Sequence, residues 1–237
     1  MQNNETNSTK IERLQFGFQL DNWRKYMSLK LSKHISLKVL EVGSGVGSTT
    51  RNLFNNEVKE WFSIEPNIDL YKEYVKNQNE GLIPKNVSIS NCYLKDFKEN
   101  SFNTIIYIDV LEHIKDDKKE ISLATLKVSS GGKIIILCPA YQFLYSKLDS
   151  SIGHYRRYTK QQIFDLFDDK CFELDGFYLD TIGIFANLLN KYIIKSDSPS
   201  RFQYSILNNI IIPISKILDK VLNYSFGRSV IVIATKR

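Results

Sequence analysis

Apolar residues along this chain recur with two different periods. From Ile11 to Ile35 they fall three or four apart, at Leu20, Trp23, Met27, Leu31 and Ile35, which predicts one amphipathic helix. Beyond it the period changes. Short apolar runs appear at KVLEV (38–42), WFSIE (61–65), VSIS (87–90), TIIYID (104–109) and KIIILC (133–138). Between them the pattern predicts helices over 47–56, 67–79 and 116–129. Runs apolar on both faces and separated by helices describe a parallel sheet covered on both sides, an α/β arrangement. Further strands at 172–179 and SVIVIAT (229–235) bring the sheet to seven, and a mostly helical insert, 183–224, separates them. The expectation is a single domain over 1–237, with residues 1–10 disordered.

Composition narrows the class. At 237 residues and 43% hydrophobic, the chain is long and apolar enough for one large core. Its greasiest stretch, SILNNIIIPISKILDKVL, is broken by Asn208, Asn209, Pro213, Lys216 and Asp219, so it falls short of the roughly 18 apolar residues of a membrane span. The polar opening MQNNETNSTK lacks the charged-then-apolar order of a signal peptide, and a cytoplasmic location is expected. Cys92, Cys138 and Cys171 show no CxxC spacing, so neither a disulfide framework nor a metal site is expected. Net charge is +6. Because lysines are interspersed with acids, as in KDDKKE, rather than gathered in a block, nucleic acid is not the expected partner, and a small molecule or peptide with an anionic group is.

Candidate chemistry begins at VLEVGSGVGSTT, which runs from a strand into a helix with glycines at 43, 45 and 47. Such a turn lets backbone approach a ligand at the carboxyl edge of the sheet. Glu65 ends the following strand, where an acid can accept both hydroxyls of a ribose. The dinucleotide fingerprint G-x-G-x-x-G is not met, since the spacing here is G-x-G-x-G. Glu41, two residues ahead of the first glycine, would repel a pyrophosphate but suits a ligand carrying an ammonium and a sulfonium. These features favour S-adenosylmethionine over NAD.

The chain resembles the class I S-adenosylmethionine-dependent methyltransferases through VLEVGSGVGSTT, IEPN, IYIDVLEHIKDD, SSGGKIIILCPA, FLYSKLDSSIGHYRRYT and FGRSVIVIAT, nearly end to end. The resemblance implies a Rossmann-like fold with S-adenosylmethionine as cofactor. It places Glu41, Gly43, Ser44 and Gly45 at the methionine end, Glu65 and Pro66 at the ribose, and Asp109 at the amino-acid portion. The family usually has Gly-Asp after the third strand, to take the adenine amino group. NCYLKD stands there instead, so adenine would rest on Cys92, Tyr93 and Leu94. The GHYRRYT block is similar to a narrower bacterial subgroup, some of whose members resemble carboxyl methyltransferases of ribosomally made peptides.

That block, residues 153–159, holds one of the three histidines and two arginines. TKQQ after it reads as a capping box, with Thr159 and Gln162 starting a helix, so the arginines sit beside a partially positive helix end. The block also closes a connection of about twenty residues from the cofactor edge, longer than the usual four to six, which points to substrate recognition. A carboxylate acceptor needs no base, only a clamp, and the planar fork of arginine is the best one. Arg156 is expected as that clamp, Arg157 as a structural brace, and Tyr141 at the transfer point. A hydroxyl acceptor, on a quinone-like, sugar or lipid-linked molecule, would instead need a general base, for which His154 and His113 are candidates. The reading is an O-methyltransferase acting on a carboxylate such as a peptide C-terminus, the hydroxyl acceptor and a non-catalytic cofactor-binding module being the alternatives.

Overall fold

The structure is a computed structural model describing residues 21–194 and 200–237. The disorder expected for residues 1–10, and the first half of the predicted N-terminal helix, lie outside the described residues. Seven strands form one sheet: β1 (Leu37–Val42), β2 (Val58–Ile64), β3 (Val87–Ser90), β4 (Phe102–Ile108), β5 (Val128–Pro139), β6 (Phe172–Leu179) and β7 (Ser229–Lys236). Their order is β3-β2-β1-β4-β5-β7-β6. The pairs among β1 to β5 are parallel, while β7 runs antiparallel to both neighbours. Order reverses at β1, whose other neighbour is β4, and such a switch point opens a crevice at the carboxyl ends of the strands.

Both faces of the sheet are buried, which explains the runs without alternation. Leu40, Ile105, Ile134, Ile136 and Val232 face one core, and Val39, Ile106, Ile135, Leu137 and Ile231 the other. Helix α1 (Asp21–Leu31) packs its stripe of Trp23, Met27 and Leu31 into the second core. Helices α2 (Ser48–Leu53), α3 (Ile68–Asn79) and α4 (Asp117–Lys127) follow β1, β2 and β4. Two of them start where side chains satisfy the first amides: Asn67 accepts from Asp69 N and Leu70 N, and Asp116 from Lys119 N.

The long connection after β5 contains a short helix, α5 (Lys147–Ser151), that the pattern did not reveal. Five residues span too little of a helix to show a period, and its signature is local instead: Asp149 Oδ2 accepts from the Ser146 amide at 2.8 Å. Helix α6 (Lys160–Phe164) does carry the Thr159–Gln162 capping box. The insert comprises α7 (Thr181–Leu189), α8 (Arg201–Ile206) and α9 (Ile212–Val221) with π-helical turns between them. Buried Asp219 of α9 ties it down, accepting from the amides of Asp180 and Thr181 and from the Tyr26 hydroxyl of α1. No helix among the described residues is long and apolar enough to cross a membrane.

Candidate active site

β1 delivers the glycine loop to the switch point, and Gly43, Gly45 and Gly47 all take positive φ there, +68°, +56° and +88°. A cavity of about 510 Å³ opens over the loop. Its walls include Gly43, Ser44, Gly45, Glu65, Pro66, Cys92, Tyr93, Leu94 and Asp109, so every residue of the expected cofactor set except Glu41 lines it.

Glu41 is the correction. Its carboxylate turns away from the cavity into the packing beneath the loop, where Oε2 accepts from Thr50 Oγ1, from Ser63 Oγ at 3.0 Å and from Trp61 Nε1 at 3.1 Å. Side chains alternate along a strand, so a residue two before the loop need not share the loop's outlook. Burial raises the Glu41 pKa to about 7, against the three hydrogen bonds and the charge of Arg24, which lower it. The native state therefore keeps this proton well above the pH at which the unfolded chain releases it, near 4.5. Stability from this group is greatest at low pH, falls by at most about 1.4 kcal/mol per pH unit as pH rises through that window, and is flat above it. Glu41→Gln should remove this slope in urea denaturation between about pH 5 and about pH 8. Parallel stability curves for the two proteins would refute it.

Glu65 follows β2 directly and bridges the loop and the start of α3: Oε2 accepts from Gly45 N and Oε1 from Asn67 N, each at 2.9 Å. Across the cavity, Asp109 follows β4 in the left-handed region at φ +56°, a conformation aspartate tolerates better than most residues. Its amide donates to Leu137 O at 2.9 Å, which turns the carboxylate out at the strand end. Asp109 meets solvent within the cavity yet is enclosed by protein. Burial raises its pKa, and the charges of Arg24, His154 and Arg228 oppose the rise.

Arg24 of α1 lines the same wall and was not foreseen. Burial lowers its pKa, while the carboxylates of Asp109 and Glu41 raise it. The signal was present in the sequence: position 24 falls on the apolar stripe, four after Leu20 and three before Met27, where a charge demands a reason.

None of the three expected catalytic side chains lines the cavity. Arg156 is engaged elsewhere: Nη1 pairs with Asp117 Oδ2 at 2.5 Å and Nη2 donates to Lys115 O at 2.8 Å. The fork expected for an acceptor thus holds the loop against the start of α4. Tyr141 is stacked between Tyr178, at 5.0 Å, and Phe143, at 5.4 Å, and faces that packing. Arg157 is buried, with Nε 2.8 Å from Asp149 Oδ1 and Nη2 3.0 Å from Asp149 Oδ2.

His154 is also largely buried. Its Nδ1 lies 2.9 Å from Asp149 Oδ1, its Nε2 lies 3.7 Å from Glu112 Oε1, and its ring meets His113 edge-on at 4.6 Å. Of the two imidazoles, His113 is the one that reaches the cavity wall, beside Ile114 and Lys115. Its place follows from the tight turn Leu111–His113 after β4, where the His113 amide donates to Val110 O.

With this geometry in place, the comparisons with known proteins are specific about family and silent about acceptor. A family model described as a methyltransferase domain matches residues 12–177. Among curated proteins none matches significantly. Similar solved structures include a possible histamine N-methyltransferase from Thermotoga maritima (TM-score 0.62, 13% identity, covering 96% of each chain). Another is a plantazolicin methyltransferase in complex with a monoazolic desmethyl analogue and S-adenosylhomocysteine (TM-score 0.57, 11% identity, covering 97% of this chain and 88% of that one). A third is phosphoethanolamine N-methyltransferase 2 from Haemonchus contortus with S-adenosylmethionine (TM-score 0.58, 15% identity, covering 90% of this chain and 52% of that one). At such identities the structures speak for the fold, and the family model for membership. The chain belongs to the methyltransferase-domain family and has the class I S-adenosylmethionine-dependent methyltransferase fold.

Proposed function

We propose that the protein is an S-adenosylmethionine-dependent O-methyltransferase whose acceptor is a carboxylate, a peptide C-terminus serving as the model. One observation carries the cofactor: a single cavity is lined by Glu65, the glycine loop, Asp109 and Arg24 together. The residues fit that cofactor. The amides of Gly45 and Asn67 hold the Glu65 carboxylate at the cavity, where an acid suits the two hydroxyls of a ribose. A Cβ added at Gly45 would meet no atom within 4 Å, so the cradle has open room, and Ser44 Oγ has no hydrogen-bond partner among the described residues. Asp109 suits an ammonium and Arg24 a carboxylate, the two charges of an amino-acid end.

When bound, S-adenosylmethionine supplies a methyl group already activated by its sulfonium. The protein then has to hold a nucleophilic oxygen about 3 Å from that carbon, in line with the bond to sulfur. The O–C bond forms as the S–C bond breaks and its electron pair stays on sulfur. A carboxylate brings its own charge, so no proton has to be moved. The wall of His113, Ile114 and Lys115 lines the same cavity as Asp109 and is where the acceptor would approach, with Lys115 as a cation of that wall in place of Arg156. A hydroxyl acceptor is the second reading, favoured by the imidazole of His113 in that wall.

Two arms test this. Labelled methyl should pass to a peptide with a free C-terminus and not to its amidated form, and mild base should release the label as methanol, as esters do and ethers or amines do not. A base-stable product would overturn the carboxylate acceptor. Glu65→Ala should weaken S-adenosylmethionine binding by calorimetry by about a hundredfold, roughly 2–3 kcal/mol for two charge-assisted bonds. Unchanged affinity would overturn the ribose assignment.

A further inference from the structure

We propose that Glu112, His113 and His154 bind one divalent transition-metal ion beside the cavity, behind the wall to which His113 contributes. This reverses the metal-free expectation, which rested on cysteine spacing alone. One donor atom from each of the three residues lies within 4.8 Å of the others. Ligands about 2.0–2.2 Å from a shared ion stand roughly 3–4 Å apart, so small side-chain movements close the set. The two chain segments that supply them are already joined, because the Tyr155 amide donates to Glu112 O at 2.8 Å.

Glu112 points to a ligand independently of that clustering. It is completely buried, and neither carboxylate oxygen has a hydrogen-bond partner among the described residues, although Cys138 and His154 lie beside it. A buried carboxylate without partners needs a proton or a cation.

His154 is oriented as ligating histidines are. Asp149 takes its Nδ1, leaving Nε2 directed at Glu112, and Asp149 is itself fixed by Arg157 and the Ser146 amide. Two imidazoles with one carboxylate form a nitrogen-rich set that suits zinc, cobalt or iron better than magnesium or calcium. Three protein ligands leave a coordination position open, and His113 is the member that reaches the cavity.

The role for this ion rests on the carboxylate reading above: an acceptor oxygen bound to the open position would be anchored as the Arg156 fork was expected to anchor it. Binding of the ion does not depend on that reading.

The test uses the full chain, stripped with a chelator and titrated with Co²⁺ without cofactor or acceptor, so failure of the acceptor reading leaves its outcome untouched. Wild type should take up one saturating equivalent, with visible d–d absorption and no cobalt–thiolate charge-transfer band. Glu112→Gln and His154→Gln should each weaken uptake by at least about a hundredfold, and His34→Gln, outside the cluster, should leave it unchanged. Circular dichroism identifies any variant that fails to fold, in which case the other variant and the wild-type stoichiometry decide. Absence of saturable uptake by wild type, a thiolate band, or full affinity in folded Glu112→Gln would overturn the site and leave Glu112 a protonated core residue.

Discussion

Arg157→Ala should destabilise the protein by about 3–5 kcal/mol, the range for removing one partner of a buried ion pair. The loss comes less from the missing attraction than from what stays behind. Asp149 is 1% exposed, and its carboxylate would remain buried with His154 and Ser146 but without its bidentate partner. Burial works to raise the Asp149 pKa, yet hydrogen bonds from His154 and Arg157, with the charge of Arg157, outweigh it and hold the group below the usual carboxylate range. The guanidinium also reaches the insert: with its amide oxygen facing Arg157, Asn187 of α7 accepts from Nη1 at 3.0 Å and Nη2 at 3.2 Å. Arg156→Ala supplies the contrast. Its side chain is 31% exposed, and a partly solvated pair with Asp117 is worth about 1 kcal/mol or less. Thermal melts should therefore separate two adjacent arginines by about 10 °C, given about 2–4 °C per kcal/mol at this size. Equal melting temperatures would refute the division.

Gly47→Ala should lower stability by about 3 kcal/mol, whereas Gly45→Ala should mainly lower cofactor affinity. Both glycines have positive φ, and a Cβ there costs about 1–2 kcal/mol in backbone conformation alone. The surroundings set them apart. A Cβ at Gly47 would stand 2.1 Å from Ile83 Cδ1 and 3.0 Å from the Tyr74 ring. Ile83 is 2% exposed and Tyr74 fully buried, with the Tyr74 hydroxyl 3.0 Å from both Thr50 Oγ1 and Ser63 Oγ, so neither yields without repacking the core under the loop. At Gly45 nothing stands within 4 Å, and the residue lines the cavity proposed for the cofactor. Urea titrations read the first effect and S-adenosylmethionine calorimetry the second, where a loss of at least about tenfold is expected, about 1.4 kcal/mol. A Gly47→Ala protein as stable as Gly45→Ala would show that the loop does not depend on this packing.

The inner strands and the long helices were legible because burial on both faces leaves continuous apolar runs, and helices on those faces leave a stripe, while the edge strands β3 and β6 are only partly buried. Glu65 could be placed for the same reason, since a strand end followed by a turn fixes where a side chain emerges. Glu41 could not. Its distance from Gly43 was readable, but whether it faced the ligand or the Thr50, Ser63 and Trp61 cluster depended on how α2 and β2 pack against β1. The same limit applied to GHYRRYT.

The sequence by itself determined the α/β class, the strand positions, the glycine loop and the acid at the end of β2, because each follows from local periodicity or from backbone geometry that few residues tolerate. Only the tertiary structure decided which charges face the cavity. Asp117, 39 residues from Arg156, took up its guanidinium. Arg24 came to the cavity on a helix remote in sequence, and Glu112 and His113 met His154 across two loops. Electrostatic partnership is a matter of a few ångströms between distant segments, and no local pattern encodes that distance.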